Sequence, residues 1–325
     1  MRKLFNILLI FLPLFGAAQQ FEYQVMFEGI GDNREYASEK AMSQTILGSR
    51  GAFEVGIKTD NNRIRVGLNH LLEFGSDIDF HKPRLTMYYE YTDSRKSFLF
   101  GAFPRRARID FPLAMMTDTL LYYRPNLEGM FGEVRWAWGH QNGFVDWVGR
   151  QTEMVRENFT AGFSGEIFHK NLFFQNYLLM FHDAGAKIRF PGVFVKDYLG
   201  FALQTGVRTS KSASVNGFVK AGVLESSFRE RDEFNEFIQA FSLFAEAQGR
   251  YKNYGIKSVL HSGDGHRFKN GDLFYRLKNY WRTDVIWYFI NKKNVKGHFN
   301  LSFHLIDGVK LDQQQQLSVI YLFGK

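Results

Sequence analysis

The sequence predicts an all-β chain folded as a closed antiparallel transmembrane β-barrel of about sixteen strands. Three observations predict it. Apolar and polar residues alternate at period two through most of the chain, tight turns alternate with longer polar connections, and no segment after the first eighteen residues is apolar enough to span a bilayer as a helix. The pattern is clearest between Ala52 and Phe74. Phe53, Val55 and Ile57 fall on odd positions, Asp60-Asn61-Asn62 breaks the run, and Ile64, Val66, Leu68, Leu72 and Phe74 resume it on even positions. Two half-polar strands joined by an Asp/Asn turn make a hairpin standing between two environments.

Composition narrows the environments. Aromatic residues make up 17% of the 325 residues, with 35 Phe, yet the mean hydropathy is −0.27. Apolar bulk is therefore interleaved with polar groups rather than gathered into one core, as in a barrel with a lipid-facing exterior and a polar lumen. The chain has no cysteine, which excludes disulfides and thiolate metal sites. Its net charge of +8 becomes +6 when Arg2 and Lys3 are set aside, and it is mixed with 33 acids, so nucleic acid is not an expected partner.

Residues 1–18 read as a secretory signal peptide: Arg2 and Lys3, then an apolar run from Leu4 to Phe15, then Gly16-Ala17-Ala18. Residues 19–325 read as one barrel domain. The expected strands lie near 21–29, 40–58, 63–74, 84–92, 96–103, 127–138, 144–150, 157–168, 172–181, 197–208, 213–225, 234–249, 254–261, 279–290, 295–306 and 314–323. The first two and the pair around Asn126 alternate weakly, so fourteen or eighteen strands also fit. Tight turns are expected at Asp60–Asn62, Asp93–Arg95, His140–Gly143, His169–Asn171, Thr209–Ser212, Tyr251–Asn253 and Asn291–Asn294. An even count puts both termini at the end with the short turns.

Late strands show the alternation well. Trp281, Val285, Trp287 and Phe289 share one face opposite Tyr280, Arg282 and Asp284; Leu317, Val319, Tyr321 and Phe323 share another opposite Gln316 and Ser318. Trp136, Trp138, Trp147, Trp281 and Trp287 fall near strand ends, where interfacial aromatic girdles sit. Alternation places Arg63, Arg65, Arg84, Arg135, Arg150, Arg282 and Lys296 on the lumen wall, nearly balanced by acids including Glu54, Glu90, Asp146, Glu246 and Asp284.

These features resemble a bacterial outer-membrane porin over nearly all of residues 19–325. Val145-Asp146-Trp147-Val148-Gly149-Arg150-Gln151 resembles a strand ending in Gly-Arg-Gln that recurs in large general and substrate-specific porins, and the aromatic Phe323 stands near the C-terminus, followed by Gly324 and Lys325. The resemblance implies an integral protein of the cell outer membrane that passes small hydrophilic solutes or ions, in contact with outer-membrane lipid, with a homo-oligomer as an option and no cofactor. It also implies that the connection from Pro104 to Asn126, after the fifth strand, folds inward as a constriction. That connection carries Arg105, Arg106, Arg108 and Arg124 against Asp110 and Asp118, so a weak preference for anions is expected.

Barrel hydrolases of the lipase or deacylase kind are the alternative, and a non-conducting secretion or structural barrel is another. A hydrolase needs a hydroxyl beside a base. The segment Leu260-His261-Ser262-Gly263-Asp264-Gly265-His266 is the candidate, but His261 and Ser262 are adjacent and face opposite ways on a strand. His261, Asp264 and His266 could also hold a cation. Neither is assigned: the sequence reading is a passive channel and not an enzyme, with no catalytic residue and no metal site.

Overall fold

The computed structural model describes residues 19–77, 82–188, 191–210, 213–231, 233–307 and 310–325. The expected signal peptide, residues 1–18, lies outside the described residues. Sixteen antiparallel strands close on themselves, each paired with its chain neighbours and β1 with β16. They are β1 (Gln20–Glu35), β2 (Gln44–Thr59), β3 (Asn62–Glu73), β4 (Arg84–Thr92), β5 (Lys96–Pro104), β6 (Asn126–Trp136), β7 (Gly139–Gly149) and β8 (Asn158–His169). The second half comprises β9 (Leu172–Asp183), β10 (Lys196–Arg208), β11 (Val215–Glu230), β12 (Phe234–Tyr251), β13 (Tyr254–Gly263), β14 (Asn279–Asn291), β15 (Val295–Ile306) and β16 (Lys310–Gly324).

Period two decides which way each side chain points. Ile64, Val66 and Leu68 are exposed on the outside of β3, as are Trp281, Val285 and Trp287 on β14 and Leu317 and Tyr321 on β16. Between them, Glu54, Glu90, Asp146, Arg282, Asp284, Asn300 and Gln316 are buried on the inside. Closure leaves no unpaired edge, so every strand can donate and accept on both sides.

One expected turn is displaced. His140–Gly143 lies within β7, and the reversal is made two residues earlier by Ala137-Trp138. Asn142 points inward, where its side chain meets the Ser164 hydroxyl at 2.9 Å, and Phe163 packs over Gly143. Cross-strand partners outweigh the local turn preference of Asn-Gly here.

The end with the long connections is closed from within. The segment between β5 and β6 crosses the lumen, carrying a single helical turn, α1 (Leu120–Tyr123). Phe111 packs edge-on to Phe144 of β7 and against Tyr177 of β9, while Arg106 reaches Glu28 of β1, so the segment spans the barrel. It meets the segment between β13 and β14. Thr117 donates its backbone N–H to the Asn270 carbonyl at 2.7 Å, and Asp272 donates to the Leu113 carbonyl at 2.9 Å. Gly271 makes the meeting possible: a Cβ there would stand 2.2 Å from the Ala114 carbonyl oxygen. Ala114, Met115 and Met116 from one segment and Phe268, Phe274 and Tyr275 from the other are all buried in one apolar cluster. Below this plug, toward the short turns, lies a polar cavity of about 500 Å³.

Candidate active site

The plug determines what the lumen residues can do. Arg105 ion-pairs with Asp146 at 2.5 Å, Arg124 with the same carboxylate at 3.5 Å, Arg108 with Glu90 at 3.6 Å, and Arg106 with Glu28. All four arginines of the segment are thus directed at wall carboxylates. Asp110 and Asp118 instead line the 500 Å³ cavity, together with Glu166, Glu246 and Asp284 and the bases Arg208, Lys220, Lys257 and Arg282.

The wall residues expected inside are mostly tied up in pairs. Arg63 joins Glu22 and Glu90, Arg65 joins Glu22 and Glu54, Arg135 joins Glu133, and Arg282 donates to Asp284 at 2.7 Å. Arg84 stands 3.8 Å from Glu128 near the loop end, and Lys296 is exposed near the turn end. Arg150 lies past the end of β7 and is exposed. These arrangements neutralise charge on the wall and leave no row of unmatched cations along it.

A hydroxyl beside an imidazole stands elsewhere. Ser226 on β11 and Ser242 on β12 both point inward, with Ser226 opposite Ala240 and Ser242 opposite Leu224, which makes the two serines diagonal neighbours. His266 lies between them, with Nε2 at 2.7 Å from Ser242 Oγ and Nδ1 at 2.8 Å from Ser226 Oγ. Its backbone N–H is held by the Tyr275 carbonyl at 2.8 Å, and Phe268 stacks on its ring. Burial, with the neighbouring His261 as a lesser cause, lowers its pKa to about 4. The ring is therefore neutral near pH 7. With its proton on Nδ1 it accepts from Ser242 at Nε2, the state a general base requires.

The sequence segment 260–266 contains the right base with the wrong partner. His261 is buried on the inner face 5.4 Å from His266, whereas Ser262 points outward and donates to Asn279 at 2.9 Å. His261, Asp264 and His266 do not converge: Asp264 caps the backbone of Phe241, and no cluster of metal-ligating side chains forms among the described residues.

A second histidine stands on the opposite face of the same wall. His182 on β9 points outward at the loop end, its Nδ1 2.8 Å from Asp197 on β10. Asp197 also accepts from Arg229 at 2.7 Å and Arg231 at 2.8 Å. This group has a base and a carboxylate, but among the described residues no hydroxyl is placed on the imidazole.

Comparison with known proteins separates fold from family. The fold is similar to that of the Vibrio cholerae outer membrane protein OmpT lacking loop L8, at 10% identity and a TM-score of 0.57, covering 94% of this chain and 100% of that one. It is also similar to Pseudomonas aeruginosa OccK5 (8% identity, TM-score 0.56, covering 94% and 98%) and Acinetobacter baumannii OccAB3 (9%, 0.54, covering 94% and 100%). The outer-membrane sixteen-stranded barrel is thereby shown, and nothing finer. No curated protein sequence matches. A family model of the lipid A 3′-O-deacylase type matches residues 17–322. That match overturns the expectation of a protein that is not an enzyme, because the family is one of acyl-ester hydrolases. Alternation and loop charge describe a barrel's wall and cannot distinguish a conduit from a scaffold for catalysis. With the match running almost from end to end, the chain belongs to the lipid A 3′-O-deacylase-type family.

Proposed function

We propose that this protein is an outer-membrane esterase that removes an acyl chain from a lipid A-type glycolipid. Family membership over residues 17–322 is the observation that carries the proposal. The Ser242–His266 pair supplies the chemistry. Ser242 Oγ attacks the ester carbonyl while its proton passes to His266 Nε2. The same proton then goes to the departing sugar oxygen, leaving the acyl group on Ser242, and water, deprotonated by His266, releases the fatty acid. Ser226 acts as a positioning residue: its hydroxyl holds Nδ1 and fixes the ring, in the place a carboxylate takes in charged triads.

Ser242 and His266 are 1% and 2% exposed, beneath Phe268 and the Tyr275 backbone. Turnover through this pair therefore requires Phe268 to swing off the ring while His266 stays between the two serines. The apolar side chains of the segment between β13 and β14, with Leu224 and Phe244 on the wall, offer an acyl chain an apolar setting. The test is acyl release from purified lipid A by the protein in detergent, followed by mass spectrometry for loss of one fatty acid. The parent should release it and Ser242→Ala should not. A folded Ser242→Ala variant that hydrolyses at the parent rate excludes this pair, and a parent that releases none excludes the function.

Conduction is a second reading, favoured by the polar cavity of about 500 Å³ in the turn-side half of the lumen. Under it, small hydrophilic solutes would cross when the plug parts. Five acids and four bases line the cavity, so any anion preference would be slight. Single-channel recording across a planar bilayer tests it: a folded protein with no conductance at any voltage ends this reading.

A further inference from the structure

The short-turn end of the barrel carries a charge pattern that hydrolysis inside the barrel does not use. Three turns of its second half share one dipeptide: Lys170-Asn171 between β8 and β9, Lys252-Asn253 between β12 and β13, and Lys293-Asn294 between β14 and β15. The stretches 167–174, 249–256 and 290–297 that bear them hold Lys170, Arg250, Lys252, Lys292, Lys293 and Lys296, and no acid. In the first half of the barrel, by contrast, the turns after β2 and β4 carry Asp60 and Asp93. Lys170, Lys252, Lys292 and Lys293 are all exposed, and among the described residues none of the four forms an ion pair.

The turns themselves do not call for lysine. Lys170 and Lys252 each stand at a φ of 53°, the left-handed region that disfavours an ordinary side chain. Two-residue hairpin turns place Asn, Asp or Gly there, as the β2–β3 turn does with Asp60 at a φ of 52°. Lysine at two such positions is accounted for by what its charge meets. Just short of the tips the outer face is aromatic. Tyr251 is opposite Tyr254 and Tyr254 opposite Trp287, all three exposed, and the Lys252 ammonium lies 5.2 Å over the Tyr251 ring. Such a row marks the membrane interface of a barrel, so the tips beyond it stand at the depth of lipid headgroups.

We propose that Lys170, Lys252, Lys292 and Lys293 form a rim that binds the headgroups of anionic glycerophospholipids, of the phosphatidylglycerol class, in the leaflet at the turn end. Each ammonium meets a phosphodiester as a point charge on a flexible stem, while the acyl chains lie against the aromatic row. Charge complementarity together with that row selects a lipid, since a soluble acidic partner has no use for an apolar band beside the cations. The inference stands apart from the esterase reading.

The test uses the full-length protein in nanodiscs of phosphatidylcholine and phosphatidylglycerol with the same acyl chains, with native mass spectrometry to count retained lipid. Phosphatidylglycerol should be retained in preference. Asparagine suits a positive φ, so Lys170→Asn and Lys252→Asn should both fold, as heat-modifiable migration would show. Each should nevertheless bind phosphatidylglycerol about 5-fold more weakly, the factor equivalent to about 1 kcal/mol per basic side chain at an anionic surface. Lys292→Gln and Lys293→Gln should do the same, and the preference should fade as salt is raised. Equal retention of the two lipids would overturn the proposal, and so would folded variants that retain phosphatidylglycerol as the parent does. Capture of soluble polyglutamate by the parent in place of phosphatidylglycerol would assign the rim to an acidic protein and overturn it as well.

Discussion

Two histidines, one on the segment that folds into the lumen and one on the outer face of β9, have been given opposite chemistry by their surroundings. His266 lies inside, covered, with a serine hydroxyl on each ring nitrogen and its pKa lowered to about 4. His182 points outside, partly open, bonded to a carboxylate that also carries two arginines. Burial disfavours the charged ring of His266, so that imidazole stays neutral and can take a proton. The exterior rim is partly open, so several charges can share one carboxylate there at little cost. A barrel thus offers two kinds of site, one under its inward-folded segments and one on its outer rim.

The largest expected effect separates the two histidines by rate. His266→Ala should lower acyl release by about 10⁴ or more, the scale on which removing a general base acts. His182→Ala, on the outer face and away from the serines, should leave kcat within a few-fold of the parent. Equal losses of kcat in both would erase the distinction.

Stability gives the next contrast. Arg105→Ala removes the nearer partner of Asp146 in a pair buried on both sides, and should cost about 3 kcal/mol, since Arg124 stays 3.5 Å away. Arg229→Ala at the rim takes one of three partners from Asp197 where solvent screens the rest, and should cost about 1 kcal/mol at most. Urea unfolding in detergent, followed by tryptophan fluorescence, measures both. A rim change as costly as the buried one would show that the exterior group is structural.

Acid provides a subtler contrast. In the unfolded chain His266 titrates near its ordinary value of 6.5, and in the fold near 4. The unfolded state therefore takes up the proton first as pH falls. Stability contributed by the neutral ring is complete above about pH 6.5 and is lost as the pH falls toward 4. Activity should hold down to about pH 5 and fall below about pH 4, where the base itself is protonated. The stability slope between pH 6.5 and 4 should be smaller in His266→Asn; an unchanged slope would place its origin elsewhere.

The fold was legible because burial in a barrel is decided residue by residue at period two. β4, β5 and β15 coincide with the expected runs to within a residue, and even the weakly patterned β1 and β2 are present. The proposed active-site pair was less legible. Ser226 and Ser242 are 40 and 24 residues from His266, and neither is in a motif. Alternation could have placed both serines on the inner face; what it could not supply was the path that brings His266 back between them. The partners of the loop arginines were equally hard to read. The segment does fold inward as expected, but its sequence could not show that the arginines would each stand on a wall carboxylate, Asp146, Glu28 or Glu90.

The clasp between Leu113 and Asp272 joins parts of the chain far apart in sequence and borne on different sectors of the barrel. Neither segment can find the other until the strands that carry them are already in register, so this contact belongs to the last stage of folding. Interactions absent from the folding transition state act on the rate of opening rather than on the rate of assembly. Gly271→Val, which drives a side chain into the Ala114 carbonyl, should therefore leave the barrel assembling at its normal speed. It should make the clasp come apart sooner, and hydrogen exchange at the Thr117 and Asp272 amides would record the change. That outcome would make the contact a kinetic latch on the interior, separate from the wall that encloses it.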